Sequence, residues 1–131
     1  MRRPDFAIDG WALDDGEARH RDAPETFWIP DLAVRQSLYP GSFAKLIFRI
    51  AVDSEAAPEA HERMWVIVRE VVVDGYLGML DNEPTTIAAN DSLWVGTELP
   101  FEALHVIDVQ HASEDSIASL AAAPPIPWPL G

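Results

Sequence analysis

The sequence predicts an α+β fold: a single domain built on a curved antiparallel β-sheet of about five or six strands, closing toward a small barrel, with two short helices against it. Three observations predict it. Residues Phe43 to Val52 alternate cleanly, with Ala44, Leu46, Phe48, Ile50 and Val52 on one parity and Lys45 and Arg49 on the other, as a strand with one buried face requires. Two β-rich runs, Met64–Val73 and Tyr76–Leu80, flank Asp74-Gly75, a strong hairpin signal because a tight turn needs residues that accept positive φ. The 131 residues are 48% hydrophobic, enough for one core and too few residues for two domains of ordinary size.

Taken in order, residues 1–25 form an N-terminal arm. Asp9-Gly10, Asp14-Asp15-Gly16 and Asp22-Ala23-Pro24 are turn signals, and Phe6 and Trp11 are its only large apolar anchors, so the arm should drape over the core with at most one short strand. Residues 26–123 form the domain. Thr26-Phe27-Trp28-Ile29 is a short β-rich run stopped by Pro30. Asp31 then caps a helix from Leu32 to Leu38, with Val34 and Leu38 facing the core, and Tyr39-Pro40-Gly41 ends it. After the Phe43–Val52 strand, Asp53–Arg63 reads as an acidic, Ala-rich loop. Met64–Val73 is apolar on both parities apart from Arg69 and Glu70, the mark of a central strand. A two-residue Asp74-Gly75 turn would set Val73 opposite Tyr76, Val71 opposite Gly78 and Arg69 opposite Leu80. Asp81-Asn82-Glu83-Pro84 is a turn by composition. Leu93–Val95 and Glu98–Phe101 read as short strands around Gly96-Thr97, and His105–Val109 as an edge strand. Ser113 caps a last helix whose apolar stripe is Ile117, Leu120 and Ala121. Residues 124–131 are a Pro-rich tail carrying Trp128, expected to fold back and bury that ring.

Several function classes are excluded or disfavoured. No cysteine is present, which removes disulfides, thiolate metal sites and cysteine nucleophiles. The net charge of −13 argues against nucleic acid, since phosphate binding needs clustered Lys and Arg. No stretch approaches the roughly 20 apolar residues that span a bilayer, and the basic start Met1-Arg2-Arg3 runs into Pro4-Asp5 rather than an apolar segment, so no membrane and a cytoplasmic location are expected. His105, Asp108 and His111 are of metal-ligand type, but a spacing of three along a strand alternates faces, and no metal is expected. There is no Gly-x-Ser-x-Gly elbow and no Gly-rich phosphate loop, so no catalytic residues and no cofactor are assigned. Nothing in the sequence sets an oligomeric state.

Charge distribution is the most informative remaining feature. Residues 70–131 contain ten Asp and Glu and no Lys or Arg. A one-signed surface of that kind promotes solubility, and it also steers a basic protein into contact. The functional expectation is therefore a non-enzymatic acidic protein-binding module, of inhibitor or immunity type, with a basic protein as partner. Candidate partner-binding residues are Trp65, Asp81, Asn82, Glu83, Glu98 and Glu102. Trp65 should meet the Asp81–Pro84 turn across the hairpin, either as an exposed recognition spot or as a core ring beside an Asn82 that satisfies backbone groups. Arg63 is placed to pair with Asp81. The alternative is a small-molecule-binding or hydrolase domain with a pocket near Trp65, Asn82 and His105.

The segment Glu62-Arg63-Met64-Trp65-Val66, the hairpin, and Gly78-Met79-Leu80-Asp81-Asn82-Glu83-Pro84 resemble an uncharacterised bacterial family, the domain of unknown function 2314. Gly96, Ile107-Asp108, Phe27-Trp28 and Lys45-Leu46-Ile47-Phe48 extend the resemblance over about residues 26–109. It departs from the family at Val109, which follows Asp108 where the family often has Trp. The resemblance implies one domain and brings no activity with it.

Overall fold

The computed structural model describes residues 2–53 and 56–129. The first residue of the arm, residues 54–55 of the acidic loop and the last two residues of the tail lie outside the described residues. The chain is an α+β domain in which a curled antiparallel sheet forms a half-barrel. In chain order the elements are α1 (Phe6–Asp9), β1 (Trp11–Leu13), α2 (Gly16–Asp22), α3 (Leu32–Arg35), β2 (Phe43–Ala51), β3 (Glu59–Val72), β4 (Gly75–Leu80), β5 (Glu98–Phe101), a 3-10 turn (Ala103–His105), β6 (Asp108–Gln110) and α4 (Glu114–Ser119). The described residues thus hold four short α-helices where the sequence suggested two.

The sheet runs β1-β2-β3-β4-β5. Strand β6 shares the free edge of β2 with β1: β1 covers Phe48–Ile50 and β6 covers Phe43–Lys45. Between them the Ile47 carbonyl accepts from Asp14 N–H, and Ile107 N–H donates to the Lys45 carbonyl. The longest alternating strand therefore leaves no bare edge there, which removes a template for pairing with another chain. The even positions of β2 and Met64, Val66 and Val68 of β3 form the inner core with Leu80, Leu99 and Phe101. The odd positions face outward, where Ile47 meets Ile29 and Ile107 in a second, smaller cluster.

The hairpin lies where expected, but its register is shifted. Val72 pairs with Gly75, Val71 with Tyr76 and Glu70 with Leu77, and a bulge at Arg69 then sets Val68 opposite Gly78. The turn residues are Val73 and Asp74, and Asp74 takes the positive φ of 64°. Gly75 is instead required by close packing: a Cβ there would stand 2.5 Å from the Phe101 carbonyl oxygen. The bulge inserts one residue into β3. Before it the even positions Met64, Val66 and Val68 face the core; beyond it Val72 packs against the core and Val71 is exposed.

Four further expectations are corrected. The first helix stops at Arg35, because Pro40-Gly41 lies too close for another turn, so Leu38 is buried but Val34 is exposed. Leu93–Val95 is not a strand; Leu93 reaches the core from a bent loop held by Asn90, whose side chain accepts from the Ser92 and Leu93 N–H groups. His105 closes a 3-10 turn rather than opening a strand, and helix α4 buries Ser116 while Ile117 stays exposed.

The arm and the tail close the open side of the half-barrel. Trp11 is 1% exposed, with Phe48 at 5.8 Å and Trp128 edge-on at 5.8 Å between ring centroids. The tail runs beside the Thr97 edge, where Glu98 N–H donates to the Ile126 carbonyl, and buries Trp128 as expected. Its indole N–H donates to the Arg2 carbonyl, and the Arg2 guanidinium lies over its ring.

Candidate functional site

Two regions hold the residues of interest. One is the corner where β3 meets the turn after β4. Asp81 N–H donates to the Trp65 carbonyl, and Trp65 N–H donates to Asn82 Oδ1 at 2.6 Å. Asn82 thus replaces the next ladder partner and ends the sheet at this point, the backbone role anticipated for it. The Trp65 ring is half-buried on the outer face, edge-on to Phe43 and beneath the Lys45 ammonium. Partial burial pushes the Asp81 carboxyl up from its ordinary value. Arg63 does not pair with Asp81; it lies over the Phe27 ring at 5.2 Å, because its side chain projects from the outer face toward the segment before α3. Glu83 is exposed. The loop that follows is pinned by Glu62: burial opposes its charge, but the N–H and hydroxyl groups of Thr85 and Thr86 outweigh that and hold its carboxyl below the usual range.

Glu98 and Glu102 lie elsewhere. Glu98 on β5 faces the bulge residue Arg69 at 3.8 Å and accepts from Trp128 N–H, so it is a structural anchor for the tail. The Arg69 guanidinium also donates to the Ala122 carbonyl.

Glu102 belongs to the second region, a groove of about 990 Å³ at the turn end of the β3–β4 hairpin. Its walls come from α3 and its C-cap (Leu32, Gln36), the hairpin (Val71 to Tyr76), Pro100 to His105, Glu17 of α2, and Arg3. The buried Arg35 holds these walls together. Its guanidinium donates to the Pro30 carbonyl at 2.8 Å, the Ala103 carbonyl at 2.8 Å and Glu17 at 2.7 Å. Its own carbonyl accepts from the Tyr76 hydroxyl. Three carboxylates, Glu17, Asp74 and Glu102, line the groove against one cation, Arg3, which pairs with Glu102. Asp74 makes no ion pair among the described residues. Val73 at the hairpin tip is 91% exposed, and Val71 and Leu32 are exposed beside it.

His105 lines this groove, away from Trp65 and Asn82, which do not line it. Its Nδ1 accepts from Glu102 N–H at 2.9 Å, so its proton sits on Nε2. Burial, and then the nearby Arg3, push its pKa down to about 4 against the ordinary 6.5, although Asp15, Asp14 and Glu17 pull the other way. The unfolded chain therefore takes up this proton at a higher pH than the folded one. The associated stability is complete above pH 6.5, is lost as the pH falls from there to 4, and changes no further below. Unfolding free energy is expected to drop by about 2 kcal/mol between pH 7 and pH 5. The substitution His105→Asn keeps an acceptor for Glu102 N–H and cannot titrate, so it should remove most of that slope in denaturant melts at the two pH values. Equal slopes in the two proteins would contradict the assignment.

The remaining ligand-type residues do not converge: Asp108 lies on the outer face opposite Lys45, and His111 contacts the Tyr39 hydroxyl at 3.3 Å. Among the described residues no group of three or more His, Asp or Glu could hold a metal ion, and no helix is long and apolar enough to cross a membrane. No protein-family model, curated protein or solved structure matches the chain.

Proposed function

We propose that this protein is a non-enzymatic acidic binding module, of inhibitor or immunity type, that engages a basic protein partner through the hairpin-end groove. One observation carries the proposal: Asp74, without an ion pair among the described residues, stands with Glu17 and Glu102, which pair with Arg35 and Arg3, around an apolar surface formed by Leu32, Val71, Val73 and Phe101. Such a surface complements a segment that presents Lys or Arg beside apolar side chains. The apolar part supplies contact area and the carboxylates supply orientation and association rate. The excess of acidic residues in the second half of the chain adds a long-range attraction of the same sign. The proposed setting is the cytoplasm. We also read the chain as a divergent member of the domain of unknown function 2314 family. Support comes from the Met-Trp strand and the Gly78-to-Pro84 run, whose Asn82 has a specific task in accepting from Trp65 N–H.

The test is capture from the native lysate at low and at high salt. A basic protein should be retained at low salt and released at high salt, because screening weakens contacts between exposed charges. The double variant Val73→Ser, Asp74→Asn, which keeps a residue tolerant of positive φ in the turn, should lose that protein at low salt. Recovery of no partner, or of partners indifferent to both salt and the variant, would sink the proposal.

A further inference from the structure

We propose that the outer face of the sheet carries a second, separate site: a pocket formed by Lys45 and Arg63, beside Trp28, for the oxyanion head group of a small carboxylate- or phosphate-bearing molecule.

The starting point is a pair of cations without carboxylate partners in a chain where carboxylates are in large excess. The sequence has 22 Asp and Glu against 9 Lys and Arg. Arg2, Arg3, Arg19, Arg35, Arg49 and Arg69 all make ion pairs. Among the described residues Lys45, Arg63 and Arg21 make none, and Arg21 is an exposed residue of α2, away from the sheet. Lys45 and Arg63 instead each lie against an aromatic ring, Lys45 at 5.5 Å from Trp65 and Arg63 at 5.2 Å from Phe27. These contacts hold the two head groups in place without neutralising them.

Register brings the two together. Lys45 pairs with Trp65, and Arg63 with Ile47, so Lys45 and Arg63 are diagonal neighbours on one face. Such neighbours are about 7 Å apart, a gap that one carboxylate or phosphate group can bridge with both side chains extended toward it. Both line a cavity of about 190 Å³ whose other walls include Thr26, Trp28, Ile107 and Asp108. The cavity is built on fixed elements. Its Ile107 wall belongs to the buried Ile29–Ile47–Ile107 cluster, against which Phe27 packs, and the Thr26-Phe27 wall is tied back by N–H groups donating to the Ala23 carbonyl.

The remaining lining residues narrow the ligand. The volume is below the roughly 300 Å³ at which drug-sized ligand sites begin, so it suits a head group rather than a whole cofactor. Asp108 stands opposite Lys45 but makes no ion pair, its carboxylate accepting from Val109 N–H. The pocket therefore holds two positive charges and one negative, which favours a singly charged oxyanion, or one carrying a donor toward Asp108. Trp28, 69% exposed, offers a ring face on which the rest of such a ligand can lie.

The experiment is an NMR titration of the isotope-labelled full chain with acetate and, separately, with inorganic phosphate, at constant ionic strength set by chloride. Saturable shifts are expected at the Trp28 and Trp65 indole N–H signals and at the Lys45 and Arg63 amides. The anion that saturates at the lower concentration tells carboxylate from phosphate. Lys45→Gln and Arg63→Gln should each weaken binding about tenfold, the effect of losing one charge-assisted hydrogen bond. Arg63→Lys should retain part of it. Arg21→Gln, which removes an exposed cation on α2, should change nothing. Shifts that never saturate with either anion, or that survive unchanged in the Lys45→Gln, Arg63→Gln double variant while its spectrum remains that of a folded protein, would overturn the proposal.

Discussion

Replacing Trp11 with alanine is expected to destabilise the protein by about 4 kcal/mol, the range for emptying a fully buried tryptophan site. The ring is where the arm, the sheet and the tail meet. It packs on Phe48 of β2 and on Trp128 of the tail, and its indole N–H donates to the Ser92 carbonyl at 3.1 Å. Removal leaves a cavity between three segments and an unpaired carbonyl in the loop before β5. The tail should loosen with it, so the Trp128 emission should shift to the red before global unfolding. Trp11→Phe keeps part of the packing but not the donor, and should cost about 1–2 kcal/mol. Denaturant melts of the two variants check both figures. A loss below about 1 kcal/mol for Trp11→Ala would show that the arm does not belong to the core.

Replacing Arg35 with methionine should cost about 3 kcal/mol and open the groove. Methionine fills much of the same volume, so the loss is electrostatic: two carbonyls lose their donor, and Glu17 loses its cation. Glu17 is partly solvated, which keeps the figure below that for a fully buried pair. Because Arg35 ties α3 to Glu17 and to the 3-10 turn, amide exchange should rise at Ala103–His105, and the depressed His105 pKa should climb toward its ordinary value. Arg35→Lys should recover less than half of the loss, since a single ammonium cannot reproduce the guanidinium fork that serves three acceptors. Preserved exchange protection and an unchanged His105 titration would show that the groove walls stand without this residue.

The two candidate regions differ in how far they could be read in the sequence. The meeting of Trp65 with Asp81 and Asn82 was legible, because a hairpin brings its two ends together whatever the details of its turn. The expected pairing was not, since a bulge at Arg69 moves the register and leaves no mark in composition. The groove could not be assembled from the sequence. Its walls come from Glu17, Leu32, Val73 and Glu102, which are far apart in the chain and converge only because Arg35 binds carbonyls and a carboxylate from three segments. Arg35 itself gave no signal, as an arginine at the end of a short helix ordinarily points into water. The Lys45–Arg63 pocket had a partial signal in Lys45 on the non-core parity of its strand, but the sequence places Arg63 at the end of a loop, whereas β3 begins at Glu59 and carries Arg63. That they lack carboxylate partners depends on where every acidic side chain goes.

What the sequence settled by itself is the class of fold: alternation in β2, a turn that accepts positive φ, and enough apolar residues for one core are local properties, and local properties survive into the folded state. Tertiary structure alone decided the strand offset, the sharing of one edge by β1 and β6, and which charges are neutralised. These depend on packing between distant segments, where one inserted residue or one buried guanidinium outweighs the preferences of its neighbours in the chain.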